Sequence, residues 1–140
     1  DHSREEIQRK LQGKGFTPEE IEKALKWLEE RGILDDLRYA QKLAFSLAQE
    51  KLLGPQRIKQ KLFQKGIPVE VAREAMERAD ETLAASERLR IVMRRKLRGR
   101  SLEEIFPNER RKLASYLHQH GFLWEDIAEA FQEAGGLTEE

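Results

Sequence analysis

The sequence predicts an all-α protein built as a tandem array of three-helix repeats, elongated and curved. Ala, Glu, Lys, Leu and Arg supply 78 of the 140 residues, against only 3 Val, 8 Ile and 3 Thr, a balance that favours helices over sheet. Three stretches also align on a glycine: KLQGKGFTPEEIEKAL from Lys10, KLFQKGIPVEVAREAM from Lys61 and YLHQHGFLWEDIAEAF from Tyr116. Around each glycine the apolar residues recur at helical spacing. Recurrence at a fixed period marks stacked supersecondary units.

The elements follow in order. Ile7 and Leu11 stand at i, i+4 on a first helix, and Gly15 suits the left-handed position that ends it. Thr17 caps the next helix, with Pro18 at its first position and Glu20 completing a capping box. The buried stripe of that helix is Ile21, Ala24, Leu25 and Leu28. Asp35 or Asp36 caps a third helix from about Leu37 to Glu50, with Leu37, Ala40, Ala44 and Leu47 facing inward and Tyr39 packed. Gly54-Pro55 breaks the chain, and Pro55 opens a helix carrying Ile58 and Leu62 up to Gly66. Asp80 caps a helix through Leu97 that turns Leu89, Val92, Met93 and Leu97 inward, with Gly99 as its stop. Gly121 ends the penultimate helix in the same way as Gly15 and Gly66.

Residues 1–34 thus form a first repeat lacking its leading helix, 35–79 a second three-helix repeat and 80–140 a third. Units this small bury little alone, so stacking between them should supply part of the stability. Trp27, Phe45, Phe63, Trp124 and Phe131 lie on or beside apolar stripes and read as core, while Phe63 and Tyr116 are the aromatics placed to stack on a base.

Several function classes are disfavoured. The absence of Cys excludes a disulfide scaffold and a Cys-ligated zinc site. There is no 18-residue apolar run and no signal-peptide pattern, so a soluble cytoplasmic protein with no membrane contact is expected. His118 and His120 stand at i, i+2 on a helix, point to different faces and cannot chelate one metal. Gly13-Lys14-Gly15 is a helix end without the strand a phosphate-binding loop requires. No nucleophile has a recognisable base. The reading is a protein with no cofactor and no enzymatic activity.

Charge is the informative feature. The 26 basic and 26 acidic residues cancel in total but not in place. Residues 51–65 carry +5 and 87–100 carry +6, whereas 17–36 carry −4 and 122–140 carry −6. On the later helix Arg90, Arg94 and Arg98 form one stripe at i, i+4, i+8, and Arg88 and Arg95 another at i, i+7. Lys51, Arg57, Lys59, Lys61 and Lys65 make a second basic block. These blocks suit docking on phosphate or on an acidic surface; the competing reading is a solvated helix face with internal Glu partners. Asp35-Asp36-x-Arg38-Tyr39 reads first as a cap, with Arg38 and Lys42 as candidate partner contacts.

These residues resemble the RecX family of recombination regulators. The resemblance rests on SREEIQRKLQGKGF (3–16), GILDDLRYAQKLA (32–44), GPQRIKQKLFQKGI (54–67) and YLHQHGFLWEDIAEAF (116–131), and spans nearly the whole chain. Leu34-Asp35-Asp36 with Arg38-Tyr39-Ala40, then Gly54-Pro55 and Arg57-Ile58, is its most specific part. The family's usual amino-terminal leading helix is absent, and SLEEIFPNE (101–109) reads as an irregular insertion. The resemblance implies a non-enzymatic modulator that lies in the groove of the RecA filament on single-stranded DNA, blocks its growth or promotes its disassembly, and suppresses ATP hydrolysis and strand exchange. The partner-binding residues expected on this reading are Arg38, Lys42, Arg57, Lys59, Lys61, Arg88, Arg90, Arg94, Arg95 and Arg98. The alternative is a direct, non-specific DNA-binding helical protein; weak contact with single-stranded DNA is a further partner expectation, and a monomer the simplest state, because the repeats complete their own cores.

Overall fold

The computed structural model describes residues 4–30 and 35–135, with side chains from Ile7 and from Leu37 onward in the two stretches. These residues form eight α-helices and one 3₁₀ turn, with no strand among them: α1 Arg4–Gly13, α2 Pro18–Glu30, α3 Asp35–Gln49, α4 Pro55–Gln64, α5 Val69–Thr82, α6 Ala85–Leu97, the 3₁₀ turn Leu102–Glu104, α7 Pro107–Gln119 and α8 Trp124–Gly135. The cap expected of Asp35 or Asp36 lies outside the described residues.

The three glycine turns are one motif used three times. Gly15, Gly66 and Gly121 have φ of 89°, 80° and 110°, a region other residues enter at a cost. The residue after each donates its N–H five residues back: Phe16 to the Leu11 carbonyl at 3.2 Å, Ile67 to Leu62 at 3.1 Å and Phe122 to Leu117 at 3.2 Å. Each glycine N–H donates three residues back, giving the paired bonds of a Schellman closure. All six side chains in those pairs are buried, so the turn that ends a helix also places an apolar contact under it. The capping box before α2 is also present: the Glu20 N–H donates to Thr17 Oγ1 at 3.1 Å and the Thr17 N–H to Glu20 Oε1 at 2.9 Å.

Two hydrophobic cores result. The first runs continuously through the first two units, from Ile7 and Leu11 to Ala75 and Ala79. Its densest packing is α3 against α5. Ala40, Ala44 and Ala48 on α3 and Ala72, Ala75 and Ala79 on α5 are buried, and side chains this small let two helix backbones approach closely. Around this shared core, α5 also holds α1 electrostatically. Lys10 lies 3.1 Å from Glu74, Lys14 reaches Glu74 at 3.4 Å and Glu77 at 3.0 Å, and the Arg73 guanidinium sits 4.5 Å above the Phe16 ring. Burial pushes the Glu74 carboxyl up, but hydrogen bonding and charge from Lys10 and the charge of Lys14 outweigh it and hold it below its usual range.

The second core belongs to the last unit, built from α6, α7, α8 and the 3₁₀ turn. It meets the first through a strap, Lys51–Gly54, whose two leucines face opposite ways. Leu52 enters the second core and Leu53 the first, a division made by placing Leu52 in the left-handed region at φ 55°. The strap and the first turn of α4 are bonded to the α7–α8 turn along the backbone: the Gly54 N–H donates to the His120 carbonyl at 2.9 Å, and the Gln56 N–H to the Gly121 carbonyl at 3.0 Å. A Cβ on Gly54 would stand 2.2 Å from the Gly121 carbonyl carbon. Only glycine fits there.

Three expectations change. Asp80 does not start a helix: α5 continues to Thr82, and α6 begins at Ala85 with Ala84 as an N-cap that makes no side-chain bond. Tyr39, Phe45, Phe63 and Trp124 are exposed rather than packed, because each sits beside its stripe on the solvent side of the helix. Residues 101–106 are ordered by their own bonds, since the Arg110 guanidinium donates to the carbonyls of Leu102 at 2.9 Å and Ile105 at 3.0 Å while Leu102 and Ile105 are buried.

Candidate partner-docking surface

The last turns of α6 gather the strongest positive charge. Arg94, Arg95 and Lys96 end the helix, where cations complement the dipole, and Arg98 follows as its cap in the left-handed region at φ 53°. Arg94, Arg95 and Arg98 are exposed, and no carboxylate of the described residues pairs with them. The other half of this helix differs.

Arg88 is not a surface residue. Its side chain is fully buried, with Nε donating to the Leu53 carbonyl at 2.8 Å and Nη1 donating to Asp80 Oδ1 at 2.8 Å and to the Leu83 carbonyl at 2.7 Å. It therefore leaves the docking set, because it is fully buried and its Nε and Nη1 donors tie the strap and the α5–α6 turn together. Arg90 lies on the surface but is committed inside the chain: Nη2 meets Glu133 at 2.6 Å and Nη1 approaches Glu87 at 3.6 Å. The hydrogen bond and charge of Glu133 push its pKa up. The charge stripe expected of Arg90, Arg94 and Arg98 is thus neutralised at one end.

Lys96, Arg100 and Lys112, which sequence reasoning did not single out, complete the surface with Tyr116, which it did. Lys96, Arg100, Lys112 and Tyr116 surround an open cleft of about 210 Å³ between α6 and α7, with Leu97, Ile105 and Leu113 beneath. The Lys96 ammonium rests 4.0 Å above the Tyr116 ring, whose stacking partner is His120 at 5.4 Å. Arg100 is partly spent on Glu109 at 3.4 Å and on the Leu97 carbonyl at 2.9 Å. The signal for Lys112 was the Arg-Arg-Lys run at 110–112, which the larger run on α6 overshadowed.

The middle unit presents a second, more dispersed set. On α4, Lys59 is exposed, Lys61 half-buried, and Arg57 half-buried and donating to Gln60 at 2.8 Å. Phe63 stands exposed beside Gln56, Lys59 and Gln60 in an open groove along that helix. On α3, Arg38 and Lys42 flank the exposed Phe45 at i, i+4, i+7. The two histidines have separate employment: His118 stacks on Trp124 at 4.1 Å, while His120 Nε2 lies 3.2 Å from the Lys51 carbonyl. Burial, with Arg57 and Lys96 nearby, lowers the His120 pKa against the opposing pull of that carbonyl.

No helix of the described residues is long and apolar enough to cross a membrane. Residues 1–28 match the family model of the first three-helix domain of RecX, and residues 35–76 that of the second. The chain is 37% identical over 128 residues to the regulatory protein RecX of Chlorobaculum tepidum, covering 91% of this chain and 76% of the relative. It is 38% identical over 137 residues to that of Cronobacter sakazakii (91% and 80%) and 34% identical over 142 residues to that of Escherichia coli (94% and 82%). With two successive three-helix domains matched and a third following the same glycine pattern, the chain belongs to the RecX family of regulatory proteins.

Proposed function

We propose that the protein is a non-enzymatic negative regulator of RecA recombinase in the cytoplasm, lying in the groove of the filament on single-stranded DNA and blocking its growth or promoting its disassembly. Family membership supplies the regulatory role. The observation that carries the docking is the unpaired cationic run of Arg94, Arg95 and Arg98 at the end of α6, with Arg38, Lys42, Arg57, Lys59 and Lys61 on the middle unit as further contacts. Separate basic sets on successive units suit a polymer, because each weak contact raises the effective concentration of the next. Monomeric protein suffices for this. The test is a titration of DNA-dependent RecA ATPase: inhibition is expected at substoichiometric protein, and full activity at an equimolar ratio refutes the proposal.

The cleft of Lys96, Arg100, Lys112 and Tyr116 favours one additional reading, weak direct contact with the phosphates of single-stranded DNA. Helix-turn-helix reading of bases is disfavoured, since α2 and α8 open with Glu19, Glu20, Glu125 and Asp126. Anisotropy with bare and RecA-coated DNA across a salt series separates the two readings. Tight, salt-sensitive binding to bare DNA would make DNA the primary partner.

A further inference from the structure

Between the first two units runs a cleft of about 510 Å³, walled by Trp27, Pro68 and Val69 and rimmed by Lys23, Lys26 and Glu30. Glu70 also lines it. This side chain is only 5% exposed, whereas its counterparts in the neighbouring repeats, Glu19 and Glu125, are exposed. The difference arises because α2 packs across α5. Glu70 Oε1 is buried without a hydrogen-bond partner, although two lysines line the same cleft. A buried carboxyl oxygen in that condition costs free energy that the chain itself does not recover, so it calls for a ligand that would.

The surroundings narrow the chemistry. An indole and two apolar side chains beside a carboxyl suit a guanidinium, which is flat, weakly hydrated and rich in donors. The compact, strongly hydrated ammonium of lysine would lose more on entering. The rim is net positive above an acidic floor: Lys23 and Lys26 are exposed, outnumber the exposed Glu30, and would repel a generally basic segment while attracting acids beside the inserted side chain. We infer that the cleft receives an arginine side chain flanked by acidic residues on a protein partner, the guanidinium on Glu70 and the flanking carboxylates on Lys23 and Lys26. This inference is independent of the recombinase reading, and neither fails with the other.

The test follows Trp27 fluorescence in a Trp124→Phe chain, with three capped tripeptides as probes: arginine between two glutamates, glutamine between two glutamates, and arginine between two lysines. Saturable binding of the first is expected, with the other two weaker by about tenfold or more. Glu70→Gln should weaken the first peptide by about tenfold, the step of one charge-assisted hydrogen bond. Lys26→Glu lies on the exposed rim, where folding is not at stake. It should weaken the acid-flanked peptide and spare a fourth probe, arginine between two glycines. No response to any peptide, equal binding of the glutamine peptide, or unchanged affinity in both variants overturns the inference.

Discussion

Arg88→Met should unlock the last unit from the rest of the molecule. The native guanidinium is fully buried and makes three short bonds, two to backbone carbonyls of the strap and the α5–α6 turn and one to Asp80. Methionine keeps much of the volume but supplies no donor, so the Leu53 and Leu83 carbonyls lose their charged partner. Deleting one member of a buried charged network costs about 3–5 kcal/mol. Part of that is offset here because Asp80 is itself nearly half exposed and regains water. A loss of about 3 kcal/mol corresponds to about 6–12 °C in Tm for a chain of this size. The two tryptophans provide the assay, since Trp27 packs against the first core and Trp124 opens α8 beside the second. Single-tryptophan chains should unfold together in urea when Arg88 is present. In Arg88→Met the Trp124 transition should move to lower urea and separate from that of Trp27. Arg94→Met, on an exposed and unpaired side chain, should leave both unchanged. If Arg88→Met matches Arg94→Met in stability and loses only partner binding, Arg88 is a surface contact and the joint described above is wrong.

Other consequences can be measured in the same way. Gly15→Ala meets no neighbour and suffers only the left-handed backbone, about 1–2 kcal/mol; Gly121→Ala adds a Cβ 2.6 Å from that of Arg57 and should destabilise clearly more in thermal melts. Stability should fall on acidification through the His120 transition. Its folded pKa is lowered, so the unfolded chain binds the proton more readily, and stability complete above about pH 6.5 declines below it. His120→Gln should flatten urea midpoints measured between pH 5 and 7. Charge reversal of Arg94, Arg95 and Arg98 together should weaken binding to RecA-coated DNA by about tenfold or more in anisotropy, whereas reversal of Arg90 alone, already held by Glu133, should do much less. Equal effects would mean that the pairing on α6 does not shape the surface.

Much of the fold could be read because its determinants are local. A glycine, the apolar residue after it and the leucine four residues before it define each Schellman turn, so three copies of a short pattern declared three hairpins. Thr17 and Glu20 cap α2 within a four-residue window. The surface was harder, since the state of a long cationic side chain depends on groups distant in sequence. Arg88 is covered by a carbonyl 35 positions earlier, and Arg90 is neutralised by a glutamate 43 positions later. Neither partner is visible from helical spacing, which placed both arginines on outward stripes. Asp80 misled for a related reason: it looked like a cap because it is acidic and precedes an apolar run, but its carboxylate serves Arg88 from inside α5.

The joint between the units bears on docking more than any single cation does. Basic side chains on α4 and α6 can engage one rigid polymer together only if their separation is fixed before binding; otherwise ordering the joint is charged against affinity. Side-chain ion pairs alone would fix it poorly, because exposed pairs contribute little and weaken with salt. Here the separation is set by two backbone hydrogen bonds from the strap and the start of α4 to the α7–α8 turn, by a glycine pair that admits no Cβ, and by a buried guanidinium. Arg88 therefore affects docking without touching the partner. Arg88→Met should lower affinity for RecA-coated DNA through faster dissociation, with an ionic-strength dependence like that of the native chain, since no phosphate or carboxylate contact is lost. Charge reversal at Arg94, Arg95 and Arg98 should instead flatten that dependence. Identical salt profiles for the two variants would refute this division between positioning and contact.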